Sequence, residues 1–302
     1  MIIAVTGGTG FVGQAVLDIA AKRGIAVEAL TRREQPARKG VAWVRGDLSN
    51  SRALAEVCEG ADAVIHIAGV VNAPDAAGFE RGNVEGTQNV VAAARAAGAA
   101  RFVHISSLAA REPSLSQYGH SKRLAEEVVQ VSELDWTIVR PPAVYGPRDT
   151  EMFELFRAAR WRVVPMPAGG RASYIHVEDL ARLLLDIVPA GDAVRGRIFE
   201  PDDGTPQGWA HREFAQAVGL AMGKRVWSPA MPAGLLHKAA HFDRKLRGDA
   251  AKLTPDRASY MAHPDWVSDP SHAVPPAVWT PVIATRDGLA ATAAWYREAR
   301  WL

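Results

Sequence analysis

Apolar positions along the first half of the chain fall into two alternating styles. Short apolar runs lie at 1–5, 26–31, 42–45, 63–67, 101–106 and 135–139, and each reads as a strand. Between them, at 11–23, 51–58, 83–97 and 118–132, apolar residues recur three and four apart, the spacing of one helical face. Strand and helix alternating over this length predict a parallel sheet covered on both faces. Right-handed crossovers then make it a doubly wound α/β sheet.

After about residue 145 the alternation breaks, and Pro, Gly and Trp become common. The stretch "SYIHVEDLARLLLDIV" at 173–188 returns to a short strand followed by a helix, and amphipathic helices read at 212–223 and 288–302. Residues 229–282 are rich in Pro and His and poorly patterned. The expected organisation is a layered domain from 1–145 plus 173–197, a small irregular C-terminal lobe from 146–172 plus 198–287, and a terminal helix at 288–302. Trp161, Trp209 and Trp227 are candidates to wall a pocket, with lobe core as the default place for a tryptophan.

The first expected strand runs into "TGGTGFVG", with Gly7, Gly10 and Gly13 three residues apart at a strand-to-helix turn. Gly7 suits a tight turn, Gly10 a close approach of backbone to ligand, and Gly13 tight packing of helix on strand. A helix starting there aims bare N–H groups and a positive dipole end at whatever lies above it, which suits a pyrophosphate.

Composition narrows the field. With 302 residues, 48% hydrophobic and 23% charged, the chain has the make-up of a globular protein with a substantial core. A formal net charge of +2 gives no reason to expect nucleic acid or membrane as partner, and "RKLRG" at 244–248 reads as a solvated helix end. The one cysteine, Cys58, sits in an expected helix as a packing residue and cannot pair within the chain, which fits a reducing cytoplasm. No run of about 18 apolar residues is present, and the N-terminus reads as a core strand, not a leader.

The segment "YGHSKRLAEEVV" at 118–129 carries the chemistry. Tyr118 and Lys122, four apart, share one helix face. A free phenol titrates near 10, and lowering that by about three units takes roughly 4 kcal/mol. A close, partly desolvated ammonium and a nicotinamide charge can supply it, making Tyr118 a general acid/base. Lys122 can also hydrogen-bond a cofactor ribose. Upstream, "RFVHISSLAA" ends a strand at Ser106 and Ser107, either of which can polarise a substrate oxygen.

Together these segments resemble the extended branch of the short-chain dehydrogenase/reductase superfamily, the NAD(P)-dependent epimerases, dehydratases and reductases, over nearly the whole length. The resemblance implies a Rossmann-type domain and a set of cofactor contacts. "TGGTGFVG" gives Gly7, Thr9, Gly10, Phe11, Val12 and Gly13, and "GDLSN" gives Asp47 and Leu48. "VIHIAG" gives Ile67, Ala68 and Gly69, and "NVEGTQNVVAAA" gives Asn83. "RPPAVYGPRD" gives Pro141 and Val144, and Ser106, Tyr118 and Lys122 complete the cofactor set. The implied catalytic residues are Ser107, with Ser106 in reserve, Tyr118 and Lys122; a homodimer through two sheet-flanking helices is also implied.

Two departures bear on the substrate. Ser107 and Tyr118 are only 11 apart, where nucleotide-sugar members usually have a longer loop. In "GGRASYIHV" the position that often holds a diphosphate-binding arginine is Ala172, with Arg171 one place off.

The second expected strand ends in Thr31, Arg32 and Arg33, with no acid to meet a ribose 2′-OH; Glu28 comes too early. Arg32 and Arg33 suit a 2′-phosphate, favouring NADP, with NAD as the alternative. His237 and His241 lie one turn apart, but Lys238 stands where a metalloprotease needs its glutamate, so no metal is expected. His176 reads as structural. The expectation is an NAD(P)-dependent oxidoreductase acting on a small-molecule carbinol or carbonyl. A nucleotide-sugar epimerase or dehydratase with tightly held NAD is one alternative. A dinucleotide-binding sensor or assembly subunit without turnover is the other.

Overall fold

Seven parallel strands form the central sheet, and their order places the site. The computed structural model describes residues 1–248, 251 and 253–302. The chain runs β1 (Ile2–Thr6), α1 (Phe11–Lys22), β2 (Ala26–Thr31), β3 (Val41–Arg45), α2 (Ser51–Cys58) and β4 (Ala63–His66). It continues through α3 (Ala76–Phe79), a π-helical stretch at Glu80–Glu85, α4 (Gly86–Ala96), β5 (Arg101–Ile105), α5 (Gln117–Gln130) and β6 (Trp136–Val139). After β7 (Ala143–Tyr145), α6 (Phe153–Ala159), β8 (Met166–Pro167), β9 (Arg171–Ala172) and β10 (Tyr174–His176) come α7 (Val177–Ile187) and β11 (Arg197–Phe199). The remainder is β12 (Trp209–Ala210), α8 (His211–Ala221), β13 (Ala230–Met231), α9 (Ala233–Arg247), α10 (Pro255–Met261), β14 (Asp265–Trp266) and α11 (Thr285–Glu298).

Among the described residues the large sheet has the order β11-β6-β5-β4-β1-β2-β3, parallel throughout. The chain leaves β1 in one direction for β2 and β3, then returns to the other side of β1 for β4. The β1/β4 boundary is therefore the switch point, where the turns after the two strands diverge and leave a crevice. The doubly wound α/β fold expected from periodicity is the fold observed.

The chain forms two compact units: Met1–Pro141 with Leu180–Glu200 and His272–Thr280, and Pro142–Asp179 with Pro201–Ser271 and Pro281–Leu302. These bounds differ from the expected segments: 198–200 join the first unit, the terminal helix 288–302 is part of the second, and two further shifts have a clear cause. β7 and β10 pair only with each other, Ala143–Tyr145 against Tyr174–His176, so they lie in the second unit. Residues 272–280 lie in the first, tied there by Glu200 N–H donating to His272 O at 2.9 Å.

The first unit's core packs α2, α4 and α5 on one sheet face through Leu54, Val57, Val90, Val129, Phe102 and Ile138. Cys58 is fully buried in it as a packing residue, and burial pushes its thiol up to about 11. The second unit has its own core around Tyr145, Phe156, Phe214, Trp209 and Tyr296. Tyr174 stacks on Phe214 with ring centroids 3.5 Å apart. His176 is buried edge-on to Tyr145, a packing role.

Two expectations need correction. The poorly patterned segment contains helices α9 and α10. Of the three tryptophans expected in the lobe core, only Trp209 is there; Trp161 and Trp227 are 82% and 67% exposed. The reason is local: Val164 and Val226 take the inward places beside them, and Arg162, at φ 61, turns the chain outward after Trp161.

Candidate active site

Because the sheet is parallel, the turns following β1, β2, β3, β4, β5 and β6 all open along one edge. Most of the residues singled out from the sequence stand there: the glycine turn, Arg32 and Arg33, Asp47 and Leu48, Ile67 to Gly69, Ser106 and Ser107, and Pro141. Val144 does not join them in the first unit; it lies on β7, paired with Ile175.

The glycine turn is fixed by lack of room. Gly7 has φ +77, and a Cβ there would meet Ala68 N at 2.7 Å. A Cβ on Gly13 would fall 2.1 Å from Gly7 O, so α1 can approach β1 this closely only with glycine there. Gly10 is different: its Cβ would meet only Gly7 O, at 3.3 Å, so within the chain the space above it is open. Gly10 caps α1 without a side-chain hydrogen bond, and the first turn of Phe11, Val12 and Gly13 holds no acid. Uncapped N–H groups, a positive dipole end and open space together fit a diphosphate.

Arg32 and Arg33 are exposed at the end of β2. Glu28 lies further back, and burial followed by Glu56 and Glu59 raises its carboxyl. Asp47 accepts from Ser49 N at 2.9 Å and Ser49 Oγ at 2.6 Å, contacts that hold its carboxyl below the usual range, with Arg32 adding to the effect. Leu48 packs against the start of α4, where a Cβ on Gly86 would lie 2.7 Å from its Cδ1.

After β4 the backbone is held by Asn83, which sits in the π-helical stretch. Its Oδ1 accepts from Val70 N at 2.6 Å, and its Nδ2 donates to Val70 O at 3.0 Å and Ser121 Oγ at 2.8 Å. A Cβ on Gly69 would meet Asn83 Oδ1 at 3.0 Å and Lys122 Nζ at 3.8 Å. The segment after β4 and the helix α5 thus meet at one point.

On α5, Ser116 caps the helix by accepting from Gly119 N at 2.9 Å. A Cβ on Gly119 would meet Ala109 O at 2.6 Å, which sets α5 close against the short loop after β5. Tyr118 is half-buried, its ring 6.2 Å from that of Phe79. Lys122 is buried and donates to Ile105 O at 2.6 Å. Burial holds its ammonium down to about 8, against the pull of Glu126.

The two serines part company. Ser106 is buried and its hydroxyl donates to Glu126 Oε1 at 2.5 Å. Glu126 in turn receives Arg140 Nε and Nη2 at 2.8 and 2.6 Å, and Arg140 reaches Glu200 at 3.4 Å. Ser106 is therefore the end of a buried ionic chain. Ser107 is half-buried and accepts from Ala109 N at 3.2 Å, which leaves its O–H to point elsewhere.

Sequence reasoning missed this chain and a pair of buried histidines. Glu126 was within reach, since Tyr118, Lys122 and Glu126 repeat every four residues on one face. His66 and His104 face each other across β4 and β5 with rings 5.3 Å apart. His66 bonds Thr6 Oγ1 at 2.6 Å and Thr87 Oγ1 at 3.0 Å. Neither ring nitrogen of His104 has a partner among the described residues. Burial, then Lys122, pushes His66 down to about 3 and His104 well below its usual range.

Arg171 is engaged elsewhere in the second unit. Its Nε donates to Gln207 O at 2.6 Å and its Nη2 to Gly208 O at 2.7 Å. His241 Nδ1 bonds its own helix at His237 O, and among the described residues no group of three or more His, Cys, Asp or Glu is placed to hold a metal. No helix among them is long and apolar enough to cross a membrane.

Comparison with known proteins agrees with this geometry. A ceramide reductase of Caulobacter vibrioides is 38% identical over 311 aligned positions, covering 100% of this chain and 96% of that protein. A 4-hydroxy-2-methyl-3-oxo-4-farnesyl-3,4-dihydroquinoline-1-oxide ketoreductase of Stigmatella aurantiaca is 33% identical, covering 80% of this chain and 79% of that one. The fold matches UDP-glucuronic acid 4-epimerase from Bacillus cereus, solved with UDP-glucuronic acid and NAD, at a TM-score of 0.77 and 17% identity over 99% of this chain and 100% of that one. The sequence model of the NAD dependent epimerase/dehydratase family matches residues 3–200, the stretch that holds the glycine turn, Asn83 and α5. The chain therefore belongs to this family of the extended short-chain dehydrogenase/reductases and is an NAD(P)-dependent enzyme.

Proposed function

We propose that the protein is an NADPH-dependent reductase of an oxo group on a molecule with a long apolar part. The observation that carries this is the separation of the two serines. Ser106 is committed to Glu126, so Ser107, with Tyr118 and Lys122, forms the proton-handling set. The dinucleotide would be held by Gly7 to Gly13 at its diphosphate, by Asp47 and Leu48 at its adenine end, and by Ile67, Ala68, Gly69 and Asn83 along its length. When bound, it supplies a hydride from the nicotinamide. Arg32 and Arg33, exposed at the end of β2, favour a 2′-phosphate and so NADPH over NADH.

Ser107 donates a hydrogen bond to the substrate oxygen and polarises the carbon–oxygen bond. Tyr118 delivers its proton to that oxygen as charge develops there. Lys122 stabilises the negative charge left on Tyr118, and does so strongly because it is buried. Asn83 and Ser121 are positioning residues: Asn83 bonds Ser121, whose hydroxyl donates to Tyr118 O at 2.8 Å and fixes the first turn of α5.

The substrate class follows from two supports. Arg171, beside the place where nucleotide-sugar enzymes often hold a diphosphate, clamps backbone carbonyls of its own unit. Both curated relatives carry lipid-like substrates in their names, a ceramide and a farnesylated 3-oxo compound. The test follows NADPH and NADH consumption with long-chain 3-oxo amides and 3-oxo acids dispersed in detergent. NADPH is consumed in preference, and Tyr118→Phe loses about 100-fold or more in rate while keeping cofactor affinity. Equal turnover by Tyr118→Phe, or no consumption with any long-chain 3-oxo compound, overturns the reading.

A further inference from the structure

The second unit exposes large apolar side chains on elements that are linked through the backbone. Trp161 and Trp227 are 82% and 67% exposed, and Leu235, Phe242 and Leu246 are 50%, 69% and 70% exposed. They are joined by structure. Val163 bridges Trp227, β8 pairs in parallel with β13, and Ala168 N–H donates to Met231 O at 2.9 Å. That ladder leads directly into α9, which starts after Pro232.

α9 carries two apolar stripes. Leu236 and Ala240 are buried with Ala258 of α10. Leu235, Ala239, Phe242 and Leu246, spaced four, three and four, form a second stripe about 100° round the helix, and its large members face water. Lys238 and Lys245 flank that stripe on the side away from α10. Asp243 is turned the other way, accepting from Leu253 N at 3.0 Å and pairing with Arg247 at 3.2 Å.

The same two segments are rich in basic residues. Residues 154–170 and 220–249 together hold nine Lys or Arg and three acids, Glu154, Asp243 and Asp249, with Arg157 paired to Glu154 at 3.0 Å, while the whole chain carries only +2. The net charge, which gave no reason to expect a membrane partner, averages this asymmetry away.

The geometry points to a docking face for an anionic bilayer surface. α9 lies in the interface with Phe242 and Leu246 in the acyl boundary. Trp161 and Trp227 sit at headgroup level, where an indole is wet at one end and apolar at the other. Lys238 and Lys245 meet lipid phosphates. An antiparallel second copy fits poorly, because it sets the lysine edges of the two α9 stripes, Lys238 and Lys245, side by side. A nucleic acid leaves the aliphatic stripe uncovered. The inference goes beyond the reductase reading and needs no spanning helix.

The experiment is co-sedimentation of the full chain with vesicles, read without any activity. The protein binds vesicles of phosphatidylcholine mixed with phosphatidylglycerol, binds pure phosphatidylcholine at least about tenfold less, and is released by salt. Phe242→Ser with Leu246→Ser, and separately Lys238→Glu with Lys245→Glu, each lower the partition by about tenfold or more, with melting temperatures like the parent's. Failure to bind the mixed vesicles, or equal binding by both double variants, overturns the proposal. So does a concentration-dependent dimer in light scattering that the serine variant abolishes. Binding to a DNA duplex that the serine variant retains in full assigns the charge to nucleic acid and overturns it as well.

Discussion

In the first unit Lys122, Glu126 and Arg140 are almost wholly removed from water, whereas in the second Trp161, Trp227, Phe242 and Leu246 stand out into it. Each unit breaks the ordinary distribution in the opposite sense. Buried charge is costly unless every member is paired, so Arg140 holds two carboxylates and Ser106 closes the end of the chain. That cost is met beside the proposed proton-handling residues, where rigidity matters. Exposed apolar surface costs little in an isolated chain but favours association. One departure shapes an interior for chemistry; the other shapes an exterior for contact.

The largest effect that tests this contrast is Arg140→Met, which takes from buried Glu126 its paired guanidinium and leaves buried Glu200 with Arg111 alone. We expect a loss of about 3–5 kcal/mol in urea denaturation. The exposed Phe242→Ser should cost within about 0.5 kcal/mol. Similar losses for both variants would remove the distinction between the units.

A smaller effect concerns Lys122. Its amine loses its proton above about 8, and with it the charge that supports Tyr118. The reduction rate should then fall by about tenfold per pH unit beyond that point, and Lys122→Arg should move the falling limb upward. Its effect on stability runs the other way. The folded amine is depressed below the ordinary ~10.4, so the unfolded chain binds more protons in between, and the fold gains stability as pH rises through that window. A rate that stays flat to pH 10 would separate Lys122 from the reaction.

The smallest effect belongs to the histidine pair. Both rings are neutral in the fold, while the unfolded chain protonates them below ~6.5. Stability from this source is present above that value and is lost as pH falls toward about 3, where folded His66 titrates. His104→Leu removes a buried ring with no hydrogen-bond partner among the described residues and should raise stability by about 1–3 kcal/mol, flattening the acid limb of a melting-temperature profile. A loss of stability would mean that His104 has a partner, such as a buried water.

Legibility followed the range of the interactions. The alternation through β6 was readable because each strand or helix shows its period within a few residues. Tyr118 and Lys122 were readable because one helix places them together. α9 was obscured because Leu235 and Leu236 are adjacent and start two different stripes, which blurs a single-face period. Ser106 and Ser107 could not be told apart locally, since the difference lies 20 residues away at Glu126. The histidines looked like interruptions in apolar strands, and only the register of β4 on β5 brings them face to face.

The single thiol in the chain gives the molecule a clock. Cys58 is sealed in the first unit, and the second holds no thiol at all. An alkylating reagent added to the native protein therefore reacts only as fast as α2 opens and re-forms. Mass gained over time reports excursions of the first unit alone, so its opening can be timed without any engineered probe.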